Sequence, residues 1–159
     1  MYDLDKIVAQ WAKQRPDLDT NPMILIWRVQ RLARHLMQEM TTTIARHDLT
    51  FPGFDVLATL LRSGPPHSLT PNQLLETMII TSGTMTNRID QLEKQGLVAR
   101  IKNPEDKRST MVSLTKKGHE VIGNAVTEHV ETQTRLVSVL STQEQTKLNS
   151  LLKKYLSRI

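Results

Sequence analysis

The sequence predicts a mainly α fold that carries one small β-hairpin, and three observations predict it. Apolar residues recur at helical spacing along most of the chain, with Met85, Ile89 and Leu92 at i, i+4 and i+7 as the clearest case. Two short β-like runs, Leu97–Lys102 and Ser109–Leu114, flank the polar turn Asn103-Pro104-Glu105-Asp106-Lys107-Arg108. Helix-starting motifs stand just ahead of periodic segments, among them the capping boxes Thr70-Pro71-Asn72-Gln73 and Ser141-Thr142-Gln143-Glu144.

Residues 1–15 open the chain as an amphipathic segment, with Leu4, Ile7, Val8 and Trp11 at roughly helical spacing and Arg15-Pro16-Asp17 as its stop. Asn21-Pro22 restarts the helix, an N-cap residue followed by proline at the first helical position. From there to about His47 the chain carries two apolar lines: Leu25, Val29, Leu32 and Leu36, and beside them Ile26, Ala33, Met37, Met40 and Ile44. So wide an apolar surface on one long helix needs more than one neighbour, its own domain and a partner. Phe51 to Arg62 is the next helix, closed by Ser63-Gly64-Pro65-Pro66. Phe54, Leu57, Ala58 and Leu61 are its expected buried stripe, widened by Val56 and Leu60, while Asp55, Thr59 and Arg62 form a polar line.

The Thr70 box opens a short helix to about Thr77, Met78 to Thr81 make a turn, and the helix of Thr84 to Gln91 follows. Gly96 ends that helix by tolerating a left-handed backbone. Helix, short turn, helix is helix-turn-helix spacing, and the hairpin after it supplies a wing. Thr115 then caps a helix to roughly Val137, with Val121, Ile122, Ala125, Val126 and Val130 as its apolar set. In the last helix Leu148, Leu151, Leu152, Tyr155 and Leu156 continue an apolar face nearly to the end. The expected organisation is residues 1–47 as N-terminal helices contributing to dimerisation, 48–115 as a winged helix-turn-helix lobe, and 116–159 as C-terminal dimerisation helices.

Lys plus Arg is 21 against 16 Asp plus Glu, a net charge of +5 that a symmetric dimer doubles, which favours polyanions as partners. Cysteine is absent, which removes disulfides, thiolate zinc sites and cysteine redox switching. The longest apolar run, Met23 to Trp27, is too short to span a bilayer, and no signal segment opens the chain. A cytoplasmic protein is expected. The histidines 35, 47, 67, 119 and 129 show no metal-ligand spacing and read as surface or packing residues. Nucleophile elbow, P-loop and dinucleotide fingerprint are all missing, and the Glu105-Asp106 pair sits in an exposed basic turn, so no cofactor and no enzyme is expected.

The face of the Thr84–Gln91 helix opposite its apolar stripe holds Gly83, Thr84, Thr86, Asn87 and Gln91. A merely solvated face more often carries Glu, Lys or Ala. Short hydrogen-bonding side chains suit a base-pair edge or a phosphate, and Ser82 at the start of the helix extends that set. Lys107 and Arg108, joined by Arg100 and Lys102 on the same hairpin, make an expected phosphate clamp, with Asp106 supporting the wing by holding the Arg108 guanidinium. Arg88 lies about 60° from the centre of the apolar stripe, so its stem follows the core edge. From there it touches a phosphate or reaches inward to a carboxylate, for which Asp55 is the candidate. The bland reading of Asp55, Arg62 and Arg88 is an ion-pair network on a helix edge.

T-S-G-T-M-T-N-R-I-D-Q-L-E-K-Q-G-L-V, then D-K-R-S and V-S-L-T-K-K-G, resemble the MarR family of winged-helix transcription regulators from about Pro22 to the C-terminus. The resemblance implies that the helix carrying Thr84 to Arg88 enters the major groove and that Arg108 reaches into the minor groove. The oxidation-sensing members of the family use cysteine, a mechanism closed to this chain. Trp11, Arg15, Asp55, Arg62 and Arg88, with F-D-V-L-A-T-L-L-R-S-G-P-P around the middle pair, look like the urate-responsive branch of the family, the HucR and PecS type. There, residues at matching positions form an anionic-ligand pocket, so a small aromatic anion, urate-like or a phenolic acid, is the implied effector. Indole, guanidinium and carboxylate suit such a ring. The expectation is a ligand-responsive regulator, a repressor, binding a pseudo-palindromic double-stranded DNA operator as a homodimer. The competing class is a helical binding or scaffold protein without sequence-specific DNA recognition.

Overall fold

The computed structural model describes residues 4–78, 82–104, 106 and 108–159, with residues 82–84 as backbone only. Two compact units divide the chain, Met1–Glu39 and Met40–Ile159. Among the described residues there are seven helices and a three-stranded sheet.

The first unit holds α1 (Leu4–Gln14) and most of α2 (Asn21–Ala45). No residue of α1 is buried, and Asp5 pairs loosely with Arg28 at 3.7 Å. The cap of α2 falls one residue earlier than expected: the Thr20 carbonyl takes the Ile24 N–H at 3.3 Å, and Asp19 Oδ1 accepts the Asn21 N–H at 3.0 Å. Asn21 and Pro22 are therefore already inside the first turn, where missing donors cost nothing. In this unit the apolar lines of α2 stand open, with Leu25 at 63 % and Val29 at 50 % exposure, whereas Ile44 at the other end of the helix is fully buried in the second unit.

In the second unit α3 (Phe51–Arg62) is the central post. Thr50 caps it by accepting the Gly53 N–H at 3.2 Å. Packing against α3 are α4 (Pro71–Thr77), α5 (Ser82–Lys94), α6 (Lys116–Val137) and the strand β3 (Thr110–Leu114). Neighbours on so many sides correct the expected stripe: Val56, Leu57 and Leu60 are fully buried with Phe54, whereas Ala58 and Leu61 are half-buried. Of the polar line Asp55, Thr59 and Arg62, Thr59 is buried. Leu74, Met85, Ile89, Leu92, Val98, Val112 and Ile122 complete one core, each large side chain contributing about 1.5–3 kcal/mol.

The Thr70 capping box forms as expected and opens α4. The turn expected at Met78 to Thr81 falls partly outside the described residues, since only Met78, which caps α4, is among them. β2 (Val98–Lys102) pairs antiparallel with β3, Arg100 opposite Val112. A third strand, β1 (Ser68–Leu69), pairs with β3 on its other edge, Ser68 opposite Ser113. Two residues are too few to show a period in the sequence; the Ser68 hydroxyl donating to Ser113 Oγ at 2.7 Å is what anchors them. Gly96 leaves α5 at φ +71°, the left-handed exit that glycine allows.

Thr115 caps α6, and its hydroxyl also donates to the Gly96 carbonyl at 2.7 Å, so the start of α6 is tied to the end of α5. Ile122 and Ala125 are buried, but Val130 is 52 % exposed. The Ser141 box opens α7 (Thr142–Leu156), which buries nothing: Leu151 is 56 % and Tyr155 65 % exposed. No described helix is long and apolar enough to cross a membrane.

Candidate nucleic-acid interface

Three side chains fix the rotation of α5. Met85, Ile89 and Leu92 are each no more than 3 % exposed, as their spacing requires. With that stripe locked inward, Asn87 and Gln91 stand exposed on the other side and Thr86 stands exposed on the flank. Asn87 and Gln91 are one turn apart and form a single strip of amides. Ser82 and Thr84, expected on the same surface, have side chains outside the described set, and Lys107 lies outside the described residues altogether. A groove of about 490 Å³ runs along this strip, with Asn87, Arg88, Gln91 and Gln95 on one wall and Thr50, Pro52 and Gly53 on the other.

The wing tip is ordered by its own polar groups. The Asn103 N–H donates to the Ser109 carbonyl at 3.1 Å and its amide to Ser109 Oγ at 2.8 Å. Asp106 supports the turn differently from the expectation: its Oδ1 accepts the backbone N–H of Arg108 at 2.9 Å, not the guanidinium. An Asx-type turn satisfies the carboxylate locally, which leaves the Arg108 side chain exposed.

Arg100 also departs from the expected clamp. Its guanidinium bridges Asp90 and Glu93, both on α5, and its backbone N–H donates to Glu93 Oε1 at 3.1 Å. Its pKa is raised, first by the hydrogen bond to Asp90. Spacing alone could not reveal this, because Asp90 and Glu93 meet Arg100 only when β2 folds back along α5. Lys102 remains exposed at the end of β2.

Behind the strip, α3, α5 and α6 bring together Asp55, Arg62, Arg88 and His129. The half-buried Asp55 has its pKa raised by burial, opposed by the charges of Arg88, then Arg62, then His129. Arg62 donates to the Thr77 carbonyl at 3.3 Å, and Arg88 Nη1 is buried with no hydrogen-bond partner among the described residues. The sequence offers His129 only as a surface or packing residue. It does pack, 4.9 Å from the Phe54 ring, but its pKa is lowered by burial and opposed by Asp55. The signal was its place at i+4 from Ala125 and i+7 from Ile122, on the buried line of α6. Trp11 and Arg15 belong to the N-terminal unit. There Trp11 is 39 % exposed, and Arg15 holds Asp17 through bonds of 2.8 and 2.6 Å.

A packed post, an amide-lined helix and a basic hairpin in this order match known proteins. The MarR family model matches residues 49–110, the span from α3 to the start of β3. The HTH-type transcriptional regulator PecS of Dickeya dadantii is 35 % identical over 150 residues, covering 94 % of this chain and 90 % of PecS. The chain belongs to the MarR family. Among solved structures, a MarR-like transcription regulator of Bacillus cereus superposes with a TM-score of 0.75 at 26 % identity, over 89 % of this chain and 99 % of that one. A mutant Escherichia coli MarR complexed with operator DNA gives a TM-score of 0.72 at 26 % identity, over 86 % of this chain and 97 % of its own. PecS and the Bacillus cereus protein are transcription regulators by name, and the Escherichia coli MarR is seen bound to its operator DNA.

Proposed function

We propose that this MarR-family chain is a ligand-responsive repressor that binds a pseudo-palindromic double-stranded operator as a homodimer. The observation that carries the reading is the fixed rotation of α5, which buries Met85, Ile89 and Leu92 and turns Thr86, Asn87 and Gln91 outward beside a wing with an exposed Arg108. Amide side chains read adenine edges in the major groove, and a guanidinium suits a narrow minor groove. Ser82, Thr84 and Lys107 join the contact set on sequence grounds. Residues 1–47 and 116–159 supply the dimer surface, a role supported by the open apolar side chains of α7. Two-fold symmetry then sets half-site centres about one helical turn apart.

The effector reading rests on Asp55, Arg62 and Arg88. Two guanidiniums and a partly desolvated carboxylate suit a flat anion that also carries N–H or O–H donors. Arg88 belongs to α5 itself, so an anion that captures its unpartnered Nη1 acts directly on the reading helix. Footprinting on the DNA upstream of the protein's own gene, with urate and simple aromatic acids titrated into the complex, tests both parts. A discrete symmetric footprint released by one of these anions supports the reading. Equal binding to random DNA, or a monomer in sedimentation, sinks the operator model. Failure of every anion, with Asp55→Asn, Arg88→Ala, Trp11→Ala and Arg15→Ala all behaving as wild type, removes the effector site.

A further inference from the structure

Arg100 sits where the wing meets the reading helix. Asp90 and Glu93 lie on one flank of α5, between its buried stripe and its outward strip, at about 140° and 80° from Met85 on the helical wheel. Both would place negative charge beside a bound polyanion. The Arg100 fork takes one oxygen from each, while Glu93 Oε1 takes the Arg100 N–H. In the order β1-β3-β2, strand β2 is an edge. Glu93 therefore closes a free backbone donor of that edge as well as pairing the side chain. The contacts join the two elements to which the proposed function gives different grooves: α5 with its outward strip, and β2 leading to the wing tip.

We propose that Arg100 is a positioning residue for DNA recognition: by bridging Asp90 and Glu93 it sets the spacing between reading helix and wing and masks two carboxylates, without touching DNA. The inference rests on the DNA-binding reading above. A planar fork fixed at both ends holds a strand against a helix in one register, which a lysine point charge cannot do. Arg100 is thereby removed from the phosphate clamp, and the wing's contact with DNA falls to its tip.

The test uses the full-length dimer and the operator found by footprinting. The double variant Arg100→Gln with Glu93→Gln keeps the net charge and breaks the bridge. Its affinity for random fragments and its salt slope should match wild type, because no phosphate contact is lost. Its affinity for the operator should fall about tenfold, with protection lost first at the wing-side positions, as a shifted wing gives up the minor groove. Should that variant not fold, Arg100→Lys keeps the charge and loses the fork, and a fall of about threefold in the operator-to-random ratio at unchanged slope is then expected. An unchanged ratio in the folded variant overturns the proposal. A salt slope reduced by about one in Arg100→Gln and in the double variant also overturns it, by making Arg100 a phosphate contact. If wild type itself gives no discrete footprint, the DNA-binding reading has failed instead.

Discussion

Gly118 lies so close to Leu97 that a Cβ built on it would stand 1.9 Å from the Leu97 carbonyl oxygen. The contact joins the first turn of α6 to Leu97, three residues beyond the end of α5. Around it Thr115 N–H donates to the same Leu97 carbonyl at 3.1 Å, and the Lys117 ammonium donates to the Gln95 carbonyl at 2.9 Å. The end of α5 is therefore welded to α6 through backbone groups, and only a residue without a side chain permits it.

Gly118→Ala should cost about 3 kcal/mol of stability, since neither backbone can move without breaking the Thr115 cap. Urea unfolding reads this as a lower midpoint at unchanged slope. A midpoint equal to wild type would show that the joint is looser than its geometry.

Thr43 and Thr132 share a buried hydrogen bond of 2.9 Å between their hydroxyls. Replacing Thr43 by valine takes this partner from the buried Thr132 hydroxyl, at about 1–3 kcal/mol. The double replacement should cost less than the sum of the singles by about 1 kcal/mol, measured as a double-mutant cycle. Strict additivity would mean that the pair does not interact.

His129 should make stability fall on acidification. Its pKa in the folded chain is lowered below 6.5, so folding favours the neutral ring. That contribution is fully present above about pH 6.5 and is lost as the pH drops through the folded value. Asp55 has the opposite sign: its raised pKa gives a contribution that is lost as the pH rises through its folded value. Melting temperature against pH should therefore show a flatter acid limb below about pH 7 in His129→Leu than in wild type. Parallel curves would acquit the histidine.

Arg108→Ala should lower the salt slope of operator binding by about one and weaken binding to all sequences. Asn87→Ala should instead cost about 1–3 kcal/mol on the operator and little on random DNA. Affinity measured over a salt series on both fragments separates the two. A slope unchanged in Arg108→Ala takes the wing tip out of the contact set.

The helices were legible in the sequence because each carries its own local reasons. Thr70, Thr115 and Ser141 cap where the residues say they should, and Gly96 turns left-handed where a helix must end. The outward strip of α5 followed from the same logic, since three buried side chains at helical spacing determine where the others point. The placement of β1 did not follow, because a two-residue strand has no period and exists through its register with β3.

What the sequence by itself determined is the set of elements, the post, the reading helix and the basic hairpin, because propensity, capping and amphipathic period act within a few residues. Only the tertiary structure decided which charges remain for a partner. Arg100 is engaged by Asp90 and Glu93 because β2 folds against α5, and Asp106 is engaged by the backbone N–H of Arg108. His129 and Asp55 come within reach of each other's charge only because α6 packs on α3. The physical reason is that a charge's task depends on its neighbours within a few ångströms, and those neighbours come from distant parts of the chain.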